Sequence, residues 1–209
     1  MRRHFKIFIS SFLIIIFAAG NIMAAALTTQ EILAKMQAQE ATLQDLQFDL
    51  RQEIRFKELK ERQTVLAKVI YKKPDLLYVE YKAPNEQLVL ANKDNMIMYA
   101  KEKGQWQETM HQKISNLVGK QWKADYGVWT TTDLEKNYEV KSAVQGANTV
   151  VLKLAPKEKT YNFTMSIVIN TKNWLPVKTL WEDDNQVITT NLQNIKVNTG
   201  VSDELFKFK

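Results

Sequence analysis

The sequence lacks most of the residues from which enzyme sites are built. It has no cysteine and only two histidines, which excludes thiol catalysis and cysteine zinc sites. A serine–histidine–acid triad in the mature chain would have to use His111, which we interpret as a surface residue because its context is polar. No glycine-rich phosphate loop is present. We therefore predict that the protein is not an enzyme and uses no cofactor or metal. Only a buried His111 in a polar cleft would favour an enzyme.

A long apolar run occurs once, at the amino terminus. Residues 7–19 are almost entirely apolar, follow three basic residues, and precede the small residues 24–26. This order is typical of a secretory signal peptide, so we predict that residues 1–26 are cleaved off. The alternative, an uncleaved membrane anchor, needs a longer run. An exported chain without cysteine favours the bacterial periplasm, where residues 27–209 are predicted to form one soluble domain.

The positive charge does not indicate a nucleic-acid partner. The formal net charge is +6, but three of these charges are Arg2, Arg3 and Lys6 of the predicted signal peptide. In the mature chain, lysine and arginine are interleaved with glutamate and aspartate. A nucleic-acid surface needs clustered basic residues, so we predict no such partner.

The mature chain begins with a helix and continues with strands. Thr28 and Glu31 have the spacing of a capping box, and apolar residues then recur at helical spacing. From Leu46 to Lys57, apolar and polar residues alternate with a period of two. This pattern predicts a long strand with one face exposed to solvent.

The stretch 71–99 predicts a meander of antiparallel strands. Leu77, Val79 and Tyr81 alternate with Tyr78 and Glu80, and two further apolar runs follow at 88–90 and 96–99. Large apolar side chains fall on both faces of these strands, so both faces need covering. What covers them is the central question for function.

The remaining chain predicts more strands around one helical interruption. Residues 112–136 combine short helical patterns with spaced aromatic residues, and turn signals about every ten residues mark the strands on either side. Later strands are predicted at 138–144, 149–154, 161–170, 176–181, 186–197 and 205–208. The predicted fold is α+β: a single highly curved antiparallel sheet, an open and unclosed β-barrel of about eleven strands, with helices forming a lid over the concave face.

Large flexible apolar residues are numerous, among them Met96, Met98, Met110 and Met165. Methionine repacks readily, which suits a pocket for variable acyl chains. Composition alone fits an ordinary core under a helix at least as well. Both interpretations remain open on the residues alone.

The order of motifs resembles the LolA family of periplasmic outer-membrane lipoprotein carrier proteins. The resemblance rests on residues 71–79 and 81–90, on the strand end at 152–157, on Trp174-Leu175-Pro176 and on the closing 206–208. It implies a chaperone that takes triacylated lipoproteins from an inner-membrane ABC transporter and passes them to an outer-membrane receptor. Acyl chains would lie in the concave cavity, under a movable helical lid.

Three positions depart from the family pattern. Where the family has an arginine that hydrogen-bonds the lid backbone, this chain has Lys73, which lacks the planar fork of arginine. Residues 92–95 replace an Asp-Gly turn, and Ile97 stands where a tryptophan is expected.

We predict from this that Lys73 contacts the lid and that six residues line the lipid-binding cavity: Leu77, Val79, Tyr81, Val89, Ile97 and Tyr99. The predicted partners are the acyl chains of lipoproteins, the lipoprotein-releasing ABC transporter and the receptor, and the carrier is predicted to be a monomer. The alternative is a related protein that carries or senses another lipid or a glycolipid.

Overall fold

The computed structural model describes residues 26–59, 61–116 and 122–208. The predicted signal peptide lies outside the described residues, except for Ala26. The described helices are α1 (Thr29–Thr42) and α2 (Thr131–Asn137). The strands are β1 (Asp45–Phe56), β2 (Arg62–Lys72), β3 (Leu76–Ala83), β4 (Gln87–Asn92), β5 (Asn95–Glu102), β6 (Gln105–Lys113), β7 (Tyr138–Gln145), β8 (Thr149–Pro156), β9 (Thr164–Asn170), β10 (Leu175–Glu182) and β11 (Gln186–Val197). Short 3-10 turns lie at Ile114–Asn116, Ala124–Tyr126 and Asp203–Phe206.

All described strands belong to one eleven-stranded antiparallel sheet. Its order is β6-β5-β4-β3-β2-β1-β11-β10-β9-β8-β7, so the strands at the two edges are β6 and β7. The sheet does not close into a barrel, which confirms the predicted open curved sheet of the α+β class. The long strand β1 is central because it pairs with β2 on one side and with β11 on the other.

The two faces of the sheet differ in what covers them. We call the face that carries Phe48, Leu50 and Val79 the inner face, because these residues pack with the segment between β6 and α2. The outer face of β1 carries Arg51 and Arg55, which are exposed. The period of two in β1 therefore separates an apolar inner face from a charged outer face, as predicted.

The predicted capping box starts α1. Thr28 Oγ1 accepts from the Glu31 backbone N–H at 3.2 Å, and Glu31 Oε2 accepts from the Thr28 backbone N–H at 2.7 Å. The helix buries Ile32 and Met36 against the inner face of the β7–β10 half of the sheet.

The chain has to cross the whole sheet between β6 and β7, because these are its opposite edges. We call residues 114–130 the crossing segment. Its described part runs over the inner face, where Trp122 and Val128 are buried. Gly127 makes the closest approach: its φ is +81°, and a Cβ there would lie 3.0 Å from Leu192 Cδ2. Glycine is therefore needed both for its left-handed backbone and for its lack of a side chain.

The apolar part of the outer face is covered by the carboxyl-terminal segment. Leu88, Leu90, Ile97 and Tyr99 are at most 3% exposed and pack with Phe208. The predicted strand at 205–208 is wrong: residues Asp203–Phe206 form a 3-10 turn. A strand there would need a sheet edge, but this segment lies across a sheet face.

A buried carboxylate fixes the start of that segment. Asp45 is 3% exposed, and its oxygens accept from the backbone N–H of Thr199 at 2.8 Å, of Gly200 at 2.9 Å and of Val201 at 3.4 Å. The Thr199 hydroxyl donates to the same carboxylate at 2.8 Å. This set of donors satisfies the buried charge and sets the path of the chain as it leaves β11.

Candidate functional site

The inner face holds four of the six residues that the sequence predicts for a lipid cavity. Leu77, Val79 and Val89 are at most 1% exposed, and Tyr81 is half-buried beside them. They face the crossing segment and share one apolar cluster with it. The structure thus brings these four together under a cover.

Ile97 and Tyr99 do not belong to this group, and their predicted place with the other four is wrong. In β5, Ile97 pairs with Leu90 and Tyr99 pairs with Leu88, on the outer face. Their neighbours Met96 and Met98 are the β5 residues that join the inner cluster. The sequence could not show this difference. In the continuous apolar run 96–99, neither the odd nor the even residues stand out as the ones that face inward.

A second apolar cluster covers the other half of the inner face. It packs Ile32 and Met36 of α1 and Leu134 of α2 against strands β8 and β9. Both helices and the crossing segment therefore lie on one face of the sheet. Together, α1, α2 and the described residues 114–116 and 122–130 form what we call the lid.

Lys73 ties α1 to the rim of the sheet. It lies in the turn between β2 and β3, and its Nζ donates to the backbone carbonyl of Glu40 in α1 at 2.5 Å. The carboxylate of Glu40 in turn accepts from the Thr131 backbone N–H at 2.9 Å and from its hydroxyl at 2.7 Å. Glu40 therefore links both helices of the lid to the turn that carries Lys73.

The same turn also holds the crossing segment, through a contact that sequence reasoning missed. Lys123 Nζ lies 2.9 Å from Asp75 Oδ1, and the Lys123 side chain is only 15% exposed. The ammonium also lies 5.6 Å from the Tyr71 ring centroid and 5.9 Å from that of Trp122. The residues are 48 positions apart, so no local pattern in the sequence signals the pair.

The electrostatics of this contact favour a charged lysine. Burial works to lower the pKa of Lys123, but the hydrogen bond to Asp75 and the nearby Tyr71 more than offset it, and the pKa is raised. On the inner face, burial and the nearby negative charge of Asp125 raise the pKa of Tyr81 to about 12. Tyr81 is therefore neutral at ordinary pH and serves as an apolar surface with one polar tip.

Between lid and sheet lies a cavity of about 40 Å³. Its lining is mostly apolar: Met36, Leu43, Leu46, Phe48, Gly127, Trp129, Trp174, Leu175, Pro176, Leu192 and Ile195, with Glu40 and Thr131 as polar members. Ligand pockets usually enclose roughly 300–1,000 Å³. The space between the lid and the sheet is therefore much smaller than an ordinary ligand pocket.

His111, the histidine that the sequence leaves as a catalytic candidate in the mature chain, lies among the described residues. His111 is on β6 with its side chain 49% exposed, so it does not lie in a buried polar cleft. No group of three or more histidine, aspartate or glutamate side chains with metal-site geometry occurs among the described residues. Within the same ranges, no helix has both the length and the hydropathy needed to cross a bilayer.

An apolar inner face under a two-helix lid agrees with what the sequence motifs implied, and comparison with known proteins identifies the family. Residues 41–209 match the family described as "Outer membrane lipoprotein carrier protein LolA". The chain belongs to the LolA family. The match spans most of the chain and includes the β2–β3 turn and all eleven described strands.

Two curated relatives have similar sequences. An outer-membrane lipoprotein carrier protein of Actinobacillus pleuropneumoniae is 26% identical over 194 residues, covering 92% of this chain and 86% of the relative. An uncharacterized protein of Methanocaldococcus jannaschii is 27% identical over 204 residues, covering 96% of this chain and 56% of the relative. The chain thus spans just over half the length of the archaeal protein.

Solved structures with a similar arrangement have low sequence identity to this LolA-family chain. A LolA superfamily protein of Nitrosomonas europaea is 14% identical with a TM-score of 0.46, covering 88% of this chain and 99% of that one. The Mycobacterium tuberculosis lipoprotein LppX is 12% identical with a TM-score of 0.46, covering 84% of this chain and 99% of that one.

Proposed function

We propose that this protein is a periplasmic carrier that binds the acyl chains of lipoproteins between the inner face and the lid. It receives them from an ABC transporter at the inner membrane and delivers them to a receptor at the outer membrane. The observation that carries the proposal is an apolar sheet face in a chain of the LolA family, covered by a lid that is tied to the β2–β3 turn.

The inner face offers the kind of surface that acyl chains need. Leu77, Val79, Tyr81 and Val89 form a continuous apolar patch with Met96 and Met98. Each buried methylene contributes about 0.8 kcal/mol, so long acyl chains gain ample affinity without specific contacts. Methionines at this face can repack around chains of different length.

The lid contacts explain how such a carrier stays closed when empty. The cover over the inner face is held by Lys73 and by the Asp75–Lys123 pair, both in or against the β2–β3 turn. Both α1 and the crossing segment are thus tied to one turn, and opening the lid has to break these polar contacts as well as the apolar packing of Ile32 and Trp122. Cargo that binds the uncovered face shifts the balance toward the open form.

The test compares two tyrosines on the same strand. Tyr81 is half-buried on the inner face, and Tyr78 is half-buried on the outer face against Leu88 and Leu90. Binding of a synthetic triacylated lipopeptide to the mature chain is measured by native mass spectrometry, with thermal unfolding measured in parallel. Tyr81→Glu should reduce binding at least tenfold, because it places a charge where acyl chains lie. Tyr78→Glu should leave binding within a factor of two; equal losses for both variants would contradict the proposed site.

The identity of the cargo is tested on protein purified from its own cell envelope. Native mass spectrometry of that material should show a bound acylated protein. A bound free lipid or glycolipid would instead support the alternative of a lipid carrier of another kind, and an empty chain would count against both.

A further inference from the structure

One buried polar atom of a residue that lines the cavity has no partner among the described residues. Trp129 lines the cavity, and its Nε1 is buried without a hydrogen-bond acceptor among the described residues. The same ring packs edge-on against Tyr138, with centroids 6.5 Å apart, so it is held in place from one side. A buried N–H without an acceptor is unfavourable, and a ligand atom that completes the bond is one physical explanation for it.

The side chains that line the cavity with Trp129 restrict which ligand atom can accept a hydrogen bond from its N–H. The walls are Phe48, Leu192, Trp174 and other apolar side chains, which favour a hydrocarbon neighbour. An indole N–H donates and does not accept, so the ligand atom has to be an acceptor such as a carbonyl oxygen. The negative Glu40 in the same cavity disfavours an anionic acceptor such as a carboxylate or a phosphate.

We infer that Trp129 Nε1 donates a hydrogen bond to an acyl carbonyl oxygen of the bound lipid when the lid has opened. A neutral carbonyl at the head of a hydrocarbon chain is the group that matches both the donor and the apolar walls. The inference rests on the proposed function and deepens it: the chain recognises the linkage of the acyl group as well as its hydrocarbon.

The experiment removes the donor and the acceptor separately. Trp129→Phe keeps an aromatic ring and removes the N–H. The probes are a diacylated lipopeptide with two ester carbonyls and its diether analogue, which has the same alkyl chains and no such carbonyl. Affinities for the mature chain are measured by titration calorimetry. Wild type should bind the diester about tenfold more tightly than the diether, and Trp129→Phe should abolish that preference. Trp174→Phe, which alters another ring of the same cavity, should keep it.

Each outcome has a distinct meaning. Wild type that binds neither lipopeptide overturns the proposed function, and the inference with it. Wild type that binds diester and diether equally, or a preference that survives in Trp129→Phe, overturns only the carbonyl contact. Because the comparison is made between two lipids in one variant, a general loss of stability cancels. A Trp129-dependent preference for diester over diether phosphatidylglycerol as well would support the contact and identify the diacylglycerol moiety as the recognised group.

Discussion

The contact between Lys123 and Asp75 gives the sharpest prediction about the lid. Lys123→Met keeps most of the aliphatic side chain and removes the charge that lies between Asp75 and the rings of Tyr71 and Trp122. A hydrogen bond between charged groups contributes about 1.5–3 kcal/mol, and each cation–π contact about 0.5–1 kcal/mol. Asp75 is 43% exposed, so water partly compensates it when the partner is lost, which places the total slightly below the sum of these lower values. We expect the closed lid to lose about 2 kcal/mol, or roughly thirtyfold in the ratio of closed to open forms.

Hydrogen exchange measures this change directly. Amides of α1 and α2 that exchange through lid opening should exchange roughly thirty times faster in Lys123→Met, while amides of β1 and β2 keep their rates. The matched control is Lys141→Met, since Lys141 forms an ion pair with Glu139 at 2.5 Å but is 53% exposed. Such an exposed pair contributes little. If both variants leave α1 exchange unchanged, or if Lys123→Met speeds exchange throughout the sheet, the β2–β3 turn does not fasten the lid.

Further predictions concern the other fixed points. Gly127→Ala should favour the open lid by about 1–3 kcal/mol, because alanine is strained at φ +81° and its Cβ meets Leu192; faster lipopeptide binding by stopped-flow mixing checks this. Asp45→Asn should lower the melting temperature by about 5–10 °C, as it weakens several hydrogen bonds of a buried carboxylate, whereas Asp49→Asn, at a half-buried carboxylate that accepts from Asn194, should change it by less than about 2 °C. Burial acts to raise the pKa of Asp45, but hydrogen bonds from residues 199–201 outweigh it and lower the pKa below its ordinary 3.8. That stabilisation is therefore present at neutral pH and is lost as the pH falls below 3.8, so thermal unfolding in acid should show a larger loss of stability in wild type than in Asp45→Asn.

At the β2–β3 turn, this chain has a lysine where the family pattern has an arginine, and that lysine contacts the backbone of α1. Lys73 makes one contact, to a carbonyl of α1, and the crossing segment is fastened separately through Asp75. A planar fork is useful for several fixed bonds at once. In this chain, two lysines share the contacts at the turn: Lys73 donates to α1, and Lys123 of the crossing segment pairs with Asp75.

The sequence by itself determined the strands, the first helix and the class of the fold. Period-two alternation in residues 46–56 forces one face of β1 to be apolar, and the capping box fixes where α1 starts. These signals are local, since they depend on residues a few positions apart. The apolar meander at 71–99 also showed correctly that both faces of the sheet need a cover.

Only the tertiary structure decided which residues face the lid and which face the carboxyl-terminal segment. Ile97 and Met98 are neighbours in an apolar run, and pairing with β4 places one outside and the other inside. The covers themselves are fixed by contacts between distant residues, such as Lys123 with Asp75 and Asp45 with Thr199. A polar residue gives no local sign of a partner 48 or 154 positions away, so the fastening of the lid and of the carboxyl-terminal segment emerges only when the sheet brings these residues together.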